Sequence, residues 1–322
     1  MAARLRIGSR PSALALAQSA LVSERLRAVV SGLAVEVVPI STSGDKLTSA
    51  SLAQIGGKGL FIREIEQALS AGRIDIAVHS LKDLPAALMP EYRIAAVPER
   101  ENPCDALIAR DRGGWHSLPL GARLGTSSAR RRLEALRLRP DLMVTPLRGN
   151  VDTRLRRLAD GDFDAIILAM AGLKRLGRTD GLNAIELDEC EFIPSAGQGA
   201  LAIEALADRK TAGSAELEEA LAHLDEPDTR AEVTAERAFL ATIGASCVSP
   251  VGVKGNARKD HLTLRALLFS PDGQQSLADE IKGSRSPGSA PSLDEKISQA
   301  TAIGVELGTR MLARGARELI DA

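Results

Sequence analysis

The sequence predicts an α/β protein in which two α/β domains are followed by a smaller α+β domain. Short β-rich runs alternate with helical patterns through most of the chain, and such alternation is typical of parallel or mixed sheets. A polar, proline-containing break at 98–103 divides the alternating part in two, and 194–199 forms a second break. Beyond it, helices come first, then short strands and a closing helix. The predicted boundaries are 1–98 with 199–216, then 104–193, and finally 220–322.

The first α/β domain combines β-rich and helical patterns in alternation. Residues 4–7 and 34–40 are β-rich, and 74–78 form the continuous apolar run of a buried strand. Residues 12–30 carry an apolar helical face, and 60–70 repeat that pattern. A further β-rich run at 200–205 lies beyond the second break, and we expect it to return to this first sheet as an added strand.

The second α/β domain repeats the alternation, and the last third departs from it. Strands are predicted at 105–109, 123–124, 143–146 and 165–169, with helices at about 128–138 and 151–159. In the last third, helices are predicted at 211–224 and 227–243, and strands at 250–254, 262–269 and 275–281. A polar stretch at 283–292 precedes the closing helix, which is predicted at about 293–312. Strands followed by a helix predict a small α+β domain.

Composition favours a globular protein of a reducing compartment. A chain of 322 residues with 44% hydrophobic content can build a normal core, and no apolar run approaches the ~20 residues of a membrane span. Residues 1–8 contain no apolar signal region, so export is not expected. The three cysteines form no Cys-x-x-Cys motif, and an odd number fits a reducing compartment. We predict a cytoplasmic protein, and a monomer because no apolar stripe demands a dimer.

The arginine-rich segment at 121–157 points to an anionic ligand. It holds ten arginines and three carboxylates, whereas the whole chain has a net charge of −1. Arginine presents a planar fork that fits carboxylate or phosphate oxygens two at a time. Aromatic residues make up only 2% of the chain, too few for the stacking surface of a single-stranded nucleic-acid binder. The pI near 6.5 is also below that expected of a nucleic-acid domain. A small polyanion is therefore favoured.

Two motifs of the first domain place polar groups at element ends. The run 76–85 passes from a buried strand into a polar loop with Lys82 and Asp83, a usual position for site residues; a surface ion pair with a capping Asp is the alternative. His79 has no second His nearby, so we interpret it as structural and expect no metal site. The glycine-rich loop 54–61, with Lys58, could hold an anion at a helix N-terminus, although a flexible turn and helix start is the favoured interpretation of this loop taken alone. Gly59 occupies the Ser/Thr position of a Walker loop and excludes that motif.

Two motifs of the second domain lie inside the arginine-rich segment. In 125–131, hydroxyl groups precede a helix whose first turn contains Arg130 and Arg131, although cations there oppose the helix dipole. An anionic ligand could supply the compensating charge; capping by Ser127 or Ser128 beside solvated arginines is the alternative. The run 147–155 repeats the arrangement, with an arginine on either side of a glycine turn and a helix start. We expect Arg137, Arg139, Arg156 and Arg157 to lie on the solvated surface.

The loop 244–250 holds Cys247 among small residues between a helix and a strand. A loop cysteine becomes a nucleophile if its pKa falls below the usual ~8.5. No Cys–His pairing supports a protease-like dyad, so this loop by itself favours an inert cysteine. The same interpretation applies to Cys104 and Cys190.

Taken together, the motifs resemble the porphobilinogen deaminase (hydroxymethylbilane synthase) family nearly from end to end. The resemblance rests on RIGSRPS from Arg6, GGKGLF from Gly56, HSLKDLP from His79, GTSSARR from Gly125, LRGNVDTRL from Leu147, AGLKRL from Ala171, PSAGQGA from Pro194 and the Cys247 loop. It implies two periplasmic-binding-protein-like α/β domains plus a small α+β domain that carries the cofactor.

The resemblance also implies a transferase of tetrapyrrole biosynthesis, on the route to porphyrin, haem and chlorophyll. A dipyrromethane cofactor is thioether-linked to Cys247, and four porphobilinogens are added to it in turn with loss of ammonia. Hydrolysis then releases hydroxymethylbilane and leaves the cofactor attached. Every added ring brings an acetate and a propionate, which accounts for the arginine excess.

The resemblance assigns roles to residues at matching positions. Asp83 is the catalytic aspartate, assisted by Lys82, because a fixed carboxylate stabilises positive charge that develops on the pyrrole N–H. Cofactor binding is assigned to Cys247, Lys82, Asp83, Thr126, Ser127, Ser128, Arg130, Arg131 and Gly199. Substrate binding is assigned to Arg10, Ser12, Gln18, Lys58, Arg148, Arg154, Arg175 and Gln198, and no metal is implied.

Three positions depart from the family pattern. Gln54 stands where many relatives have Lys, which weakens one expected carboxylate contact. In the cysteine loop, Ala245 replaces a frequent Gly, and Ser249 replaces an aliphatic residue.

The runner-up function is a small-anion binding protein that uses the two α/β domains as a clamp. The expected absence of export argues against this alternative, and so does a third domain with a loop cysteine. A nucleic-acid binder, with strongly salt-dependent affinity, is a third alternative.

Overall fold

The computed structural model describes residues 4–43, 62–111, 113–208, 214–246, 248–284 and 292–321. The first part of the chain contains β1 (Arg4–Ser9), α1 (Ala13–Val29), β2 (Ala34–Pro39), α2 (Arg63–Ser70), β3 (Ile76–Ser80) and β4 (Tyr92–Ala96). A 3-10 turn, Leu81–Asp83, follows β3 directly. The predicted strands and helices are all present, with ends within a few residues, except that residues 60 and 61 of the predicted second helix lie outside the described residues.

The second part contains β5 (Asp105–Ala109), β6 (Arg123–Gly125), α3 (Ala129–Leu138), β7 (Met143–Thr145), α4 (Val151–Ala159), β8 (Ala165–Ala169), α5 (Met170–Arg175) and β9 (Ala184–Glu186). The last part contains β10 (Leu201–Leu206), α6 (Ser214–Leu224), α7 (Pro227–Ile243), β11 (Val251–Ala257), β12 (His261–Phe269), β13 (Ser276–Ser284), α8 (Leu293–Leu312) and α9 (Ala316–Asp321). The predicted strand that returns to the first sheet is confirmed as β10.

Two five-stranded mixed sheets share one topology. The first has the order β2-β1-β3-β10-β4, and the second has the order β7-β6-β8-β5-β9. In each, one strand pairs in parallel with two others, β1 in the first sheet and β6 in the second. An antiparallel strand then joins each sheet: β10, which comes from a distant part of the sequence, in the first sheet, and β5, which directly precedes β6, in the second. The predicted mixed α/β class is thereby confirmed.

Apolar side chains cover both faces of each five-stranded sheet. In the first, residues of α1 and α6 such as Leu26 and Leu221 lie on one face, and Ile65 and Leu69 of α2 lie on the other. In the second, α3 contributes to one cluster, and α4 and α5 contribute to the other. Helices on both faces explain why the central strands β3 and β8 are almost fully buried.

The third sheet, β11-β12-β13, is antiparallel and has a core of its own with α7, α8 and α9. It forms the predicted α+β part. By density of contacts, the chain divides into two compact units, Met1–Arg100 with Ala200–Arg230 and Glu101–Gly199 with Ala231–Ala322. The second five-stranded sheet and the third sheet therefore belong to one unit. The three-domain boundaries stay a prediction. Among the described helices, none has the length and apolarity that crossing a membrane requires.

Candidate functional site

The first unit gathers polar residues beyond the carboxyl ends of two parallel strands. β1 is followed by Arg10 and Ser12, and the Ser12 hydroxyl caps α1 by accepting the Ala15 N–H at 3.3 Å. Gln18, one turn into α1, is buried, and its Nε2 lies 2.9 Å from the Ser80 Oγ at the end of β3. This bond ties the start of α1 to the end of β3. Such strand ends are where ligands bind in open α/β sheets.

Lys82 and Asp83 lie on the 3-10 turn that continues β3. Leu81, at the start of the turn, is buried, and its N–H donates to the Ala200 carbonyl oxygen at 3.0 Å. Lys82 is half-buried, and Asp83 is exposed. A buried anchor followed by accessible charged groups gives a firm base for side chains that meet a ligand.

His79 points to the core and is structural. Its Nε2 lies 2.9 Å from Oε2 of Glu204, and both side chains are buried. Glu204 belongs to β10, which pairs with β3 next to this position. The interpretation of His79 as a structural residue is therefore confirmed. The pair links the strand that leads to Lys82 with the strand that returns from the second break.

In the second unit, the loop between β6 and α3 is built from hydroxyl groups. The Thr126 N–H donates to the Thr145 carbonyl oxygen at 3.1 Å, and its Oγ1 accepts the Ser128 N–H. The Ser127 hydroxyl donates to the Leu147 carbonyl oxygen at 2.9 Å. Ser128 caps α3 by accepting the Arg131 N–H. The loop is therefore fixed by its own side chains at the carboxyl end of β6.

Arg130 and Arg131 are buried beside two acidic side chains. Nη2 of Arg130 contacts Asp105 at 2.7 Å, and its Nη1 contacts Glu134 at 2.7 Å. Nε and Nη2 of Arg131 both contact Oδ1 of Asp105, at 2.9 and 2.6 Å. Asp105, the first residue of β5, is fully buried. One aspartate therefore holds both arginines.

The two acids respond differently to this burial. Burial opposes ionisation of Asp105, but Arg130 and Arg131 outweigh it and lower its pKa to about 2. For Glu134, burial dominates over the attraction of Arg130, and the charge of Asp105 adds to burial, so its pKa is raised to about 7. Asp105 is therefore the ionised partner of both arginines at neutral pH.

These contacts correct one expectation from the sequence. The sequence suggested that an anionic ligand could compensate the positive charges in the first turn of α3. Asp105 contacts both arginines and Glu134 contacts Arg130, so the helix-dipole argument by itself does not require a ligand. Neither acid is among the motif residues. An acid opening the otherwise apolar strand 105–109 was the available signal for Asp105, and Glu134 follows Arg130 by one helical turn.

Arg148 and Arg154 flank the start of α4. Asn150 caps this helix by accepting the Thr153 N–H at 2.9 Å. Both arginines are half-buried, and Nε of Arg154 donates to the Gly149 carbonyl oxygen at 2.7 Å. Burial and then the positive charge of Arg131 lower the pKa of Arg154 to about 10. Arg131 therefore lies near enough to Arg154 for their positive charges to interact, although burial is the larger cause of the lowered pKa.

Gln198, Gly199 and Arg175 meet at the second break. Gln198 is buried; its Nε2 donates to Asp105 at 2.9 Å, and its Oε1 accepts from Arg131. Arg175, the last residue of α5, donates from Nη2 to the Gly199 carbonyl oxygen at 2.7 Å. Gly199 has φ +84°, and an added Cβ would lie 2.2 Å from the Glu101 carbonyl oxygen, so this position requires glycine. Gln198 can therefore influence a ligand by fixing the position of the Arg131 side chain.

Several predicted residues lie outside the described residues, namely Lys58, Gln54 and Cys247. Around the cysteine position, the Ser249 Oγ accepts the Ser246 N–H at 3.1 Å, and the Ser249 N–H donates to the Ser246 carbonyl oxygen. Ala245 is buried. The departure at Ser249 therefore adds a hydrogen bond that closes the turn.

The expectation for Arg139 is wrong. This residue is half-buried, contacts Asp141 at 2.7 Å and donates to the carbonyl oxygens of Trp115 and Leu118. Its planar fork joins its own segment, at Asp141, to the segment 115–118, which a solvated arginine does not do.

Comparison with known proteins identifies the family. Residues 5–214 match the family model described as porphobilinogen deaminase, dipyromethane cofactor binding domain. Residues 230–313 match the model described as porphobilinogen deaminase, C-terminal domain. The chain belongs to the porphobilinogen deaminase family. The activity of this family is that of a transferase in tetrapyrrole biosynthesis, with a dipyrromethane cofactor.

Similar proteins named porphobilinogen deaminase come from several bacteria. That of Syntrophobacter fumaroxidans is 43% identical, with 98% of this chain and 97% of the relative covered. That of Roseiflexus castenholzii is 45% identical over 98% of each chain. That of Chromobacterium violaceum is 44% identical, with 99% and 97% covered. The family resemblance predicted from the motifs is confirmed.

Among solved structures, the chain is similar to a probable amino-acid ABC transporter extracellular-binding protein of Bacillus subtilis. The TM-score is 0.43 at 9% identity, with 70% of this chain and 90% of that chain covered. A TRAP periplasmic solute binding protein of Desulfovibrio salexigens gives a TM-score of 0.40 at 12% identity, with 70% and 73% covered.

Proposed function

We propose that this protein is a porphobilinogen deaminase that adds four porphobilinogen molecules to a dipyrromethane cofactor on Cys247. Each addition releases ammonia, and hydrolysis finally releases hydroxymethylbilane. The observation that carries the proposal is the match of residues 5–214 to the family model for the dipyromethane cofactor binding domain. Arg131 and Arg154, next to the loop of hydroxyl groups, supply positive charge that suits a ligand with several carboxylates.

The described residues fit a carboxylate-bearing cofactor. Nε of Arg154 is used by the Gly149 carbonyl oxygen, which leaves the two terminal nitrogens of its fork to meet a carboxylate. We assign the cofactor carboxylates to Thr126, Ser127, Ser128, Arg130 and Arg131, with Lys82, Asp83 and Gly199 completing the set. We assign incoming substrate to Arg10, Ser12, Gln18, Lys58, Arg148, Arg154, Arg175 and Gln198.

The cofactor, when bound, supplies the pyrrole carbon to which the first substrate is joined. The other tasks belong to side chains of this protein. Arginines and hydroxyl groups orient the acetate and propionate groups of each ring. Gln198 and Asp105 hold the Arg131 fork in one orientation, and a fixed fork loses less entropy when it binds an anion.

Asp83 is the group that acts on the reacting ring. Positive charge develops on the pyrrole nitrogen as ammonia leaves the substrate, and a fixed carboxylate close to that N–H stabilises the charge. The same carboxylate can accept or return a proton. Its place on an anchored turn, in an exposed position, suits both tasks. Lys82 next to it would orient a substrate carboxylate or assist the leaving ammonia.

A cytoplasmic location, a monomeric state and the absence of nucleic-acid binding complete the proposal. They follow from the sequence arguments on cysteine usage, aromatic content and charge. Size-exclusion chromatography with light scattering would test the monomer, and retention of RNA or DNA at low salt would contradict the third statement.

Intact mass measurement tests the proposed function. Protein purified from cells that make porphobilinogen should be heavier than the bare chain by one dipyrromethane unit. Cys247→Ala should remove this excess mass. Cys190→Ala is the control and should keep it, because Cys190 is a free, exposed cysteine with no role in the proposal. A bare-chain mass for the unmodified sequence would refute the attachment and would favour the small-anion binding protein instead.

A further inference from the structure

Helix α3 has a second side that the proposed chemistry does not use. Its first turn holds Arg130 and Arg131 on the Asp105 network. One turn later, Leu133 packs with Ile193, Leu267 and Phe269 in a separate apolar cluster. Leu267 and Phe269 belong to β12 of the third sheet. The helix that carries the arginines therefore shares buried apolar contacts with the α+β part that leads to and from the cysteine loop.

The turn between β12 and β13 closes over the same helix. Nη2 of Arg132 donates to the Pro271 carbonyl oxygen at 2.9 Å. Gly273 in that turn has φ +79°, and a Cβ built on it would lie 2.5 Å from Cδ2 of Leu133. The positive φ favours glycine at this position, and any side chain there would also require the Leu133 side chain to shift. The turn is fitted to α3 by a hydrogen bond and by direct steric contact.

Ile193 and Pro194, at the start of the second break, make a further connection to the third sheet. The Val253 N–H of β11 donates to the Pro194 carbonyl oxygen at 2.8 Å, and a Cβ built on Gly252 would lie 2.6 Å from the Ile193 carbonyl oxygen. On its other side, the Ile193 N–H donates to Glu134 of α3 at 2.9 Å. Ile193 is thus held between α3 and the third sheet.

We infer that α3 and the β12–β13 turn form a fixed positioning contact that holds the β6–α3 loop, the first turn of α3 and the third sheet as one body through all four additions. This inference rests on the proposed function. Buried apolar side chains are packed as closely as an organic crystal, and a partial separation would lose their contacts outright. Room for the growing pyrrole chain must therefore come from parts of the molecule outside this contact.

The inference names Leu133, Gly273 and Ile193 as positioning residues. They touch neither substrate nor cofactor in the proposal. They set the position of the β6–α3 loop and the first turn of α3 relative to the third sheet. A wrong register at this contact would misplace Arg131 while leaving its hydrogen bonds intact.

Amide hydrogen exchange and one glycine substitution test the contact in the holoenzyme. Exchange of the backbone amides of α3 and of the β12–β13 turn would be measured before and during incubation with porphobilinogen. Gly252→Ala would push β11 away from Ile193, because its Cβ would lie 2.6 Å from the Ile193 carbonyl oxygen. Gly114→Ala is the matched control, since its Cβ would meet no described atom closer than 3.5 Å.

We expect the amides of both segments to exchange equally slowly with and without porphobilinogen. Gly252→Ala should carry the cofactor but slow the additions by about tenfold or more, whereas Gly114→Ala should complete all four additions at the unchanged rate. Exchange that becomes faster in either segment as rings are added would overturn the inference, and so would a Gly252→Ala variant that elongates at the control rate. If the unmodified protein consumes no porphobilinogen, the proposed function fails, and the exchange rates of α3 and the turn still decide whether the two are held together.

Discussion

The arginines of the second unit differ in whether a buried acid binds them. Asp105 and Glu134 occupy most of the donor groups of Arg130 and Arg131, which become fixed sources of positive charge. Arg154 uses only Nε on a backbone carbonyl oxygen within the described part of the chain. Its terminal nitrogens are therefore the best placed of the three for a bidentate carboxylate contact.

Replacement of Arg154 tests this division. Arg154→Ala should stall elongation and lower the rate of porphobilinogen consumption by about tenfold or more, since a charged hydrogen bond contributes ~1.5–3 kcal/mol. Arg156→Ala is the matched control, because Arg156 lies on the same helix and is exposed. Mass spectrometry of enzyme-bound intermediates is the measurement. Equal amounts of every intermediate in the two variants would contradict the role of Arg154.

Replacement of Asp83 tests the catalytic assignment. Asp83→Asn should lower turnover by about 10²–10³-fold, the usual loss when one fixed charge-stabilising group is removed. The thermal unfolding midpoint should stay unchanged, because the side chain is exposed. Asp208→Asn, another exposed aspartate of the same unit, is the control and should keep full turnover. Turnover of Asp83→Asn near that of the control would remove Asp83 from the mechanism.

At the scale of elements, the motif hydroxyls are part of the secondary structure that presents the site. Ser12, Ser128 and Asn150 cap α1, α3 and α4, and each cap lies just beyond a strand end. The capping interpretation of Ser128 is confirmed, and Ser127 instead bonds to the Leu147 carbonyl oxygen. Each helix therefore begins at a place fixed by the same residues that would meet a ligand.

The packing of α8 on α7 depends on two glycines. A Cβ on Gly304 would lie 2.3 Å from the Ala235 carbonyl oxygen, and one on Gly308 would lie 2.7 Å from Cβ of Thr242. Gly→Ala in a helix normally stabilises by ~1 kcal/mol. At Gly304 we expect the opposite, a destabilisation of about 1–3 kcal/mol, because the helices would have to separate.

Urea unfolding of Gly304→Ala measures this effect. Ala302→Gly, at an exposed position of the same helix, is the control and should lose ~1 kcal/mol from helix propensity alone. If Gly304→Ala proves more stable than the unchanged protein, α8 does not approach α7 as closely as described.

For the whole molecule, the Glu134 carboxyl gives stability a pH dependence. Its pKa is raised from 4.5 to about 7 in the folded state, so the folded protein binds a proton more tightly than the unfolded chain. The stability that this proton contributes is fully present below about pH 4.5 and is lost as the pH rises through about 7. Over that window the free energy of unfolding should fall by about 3 kcal/mol from this group.

Glu134→Gln should remove this slope. Urea unfolding of both proteins at pH 5, 6, 7 and 8 gives their unfolding free energies. Because Gln stays neutral, the two values should lie closest at pH 5, and the unchanged protein should become progressively less stable than Glu134→Gln as the pH rises to 8. Glu306→Gln, at an exposed position of α8, should follow the unchanged protein at every pH. A constant difference between Glu134→Gln and the unchanged protein from pH 5 to 8 would contradict the raised pKa.

The sequence by itself determined the fold class, most elements and the family. Period-two and helical patterns are local, so strands such as Asp105–Ala109 and helices such as Val151–Ala159 were predicted with their observed ends. The motifs are also local, and in combination they identify the family. β4, β9, α5 and α9 were not predicted as elements, because short segments depend on a neighbour that the local pattern does not contain. β9, with three residues, exists as an edge strand through its pairing with β5.

Only the tertiary structure decided how the charges are used. Asp105 lies 25 positions before Arg130 and Gln198 lies 67 positions after Arg131, yet all of them meet in one buried network. Burial removes water from these groups, so their pKa values and their freedom to bind a ligand depend on which partner stands within hydrogen-bonding distance. The contact of α3 with the β12–β13 turn is of the same kind. Spacing along the chain predicts which residues share an element, and the fold decides which elements share a core.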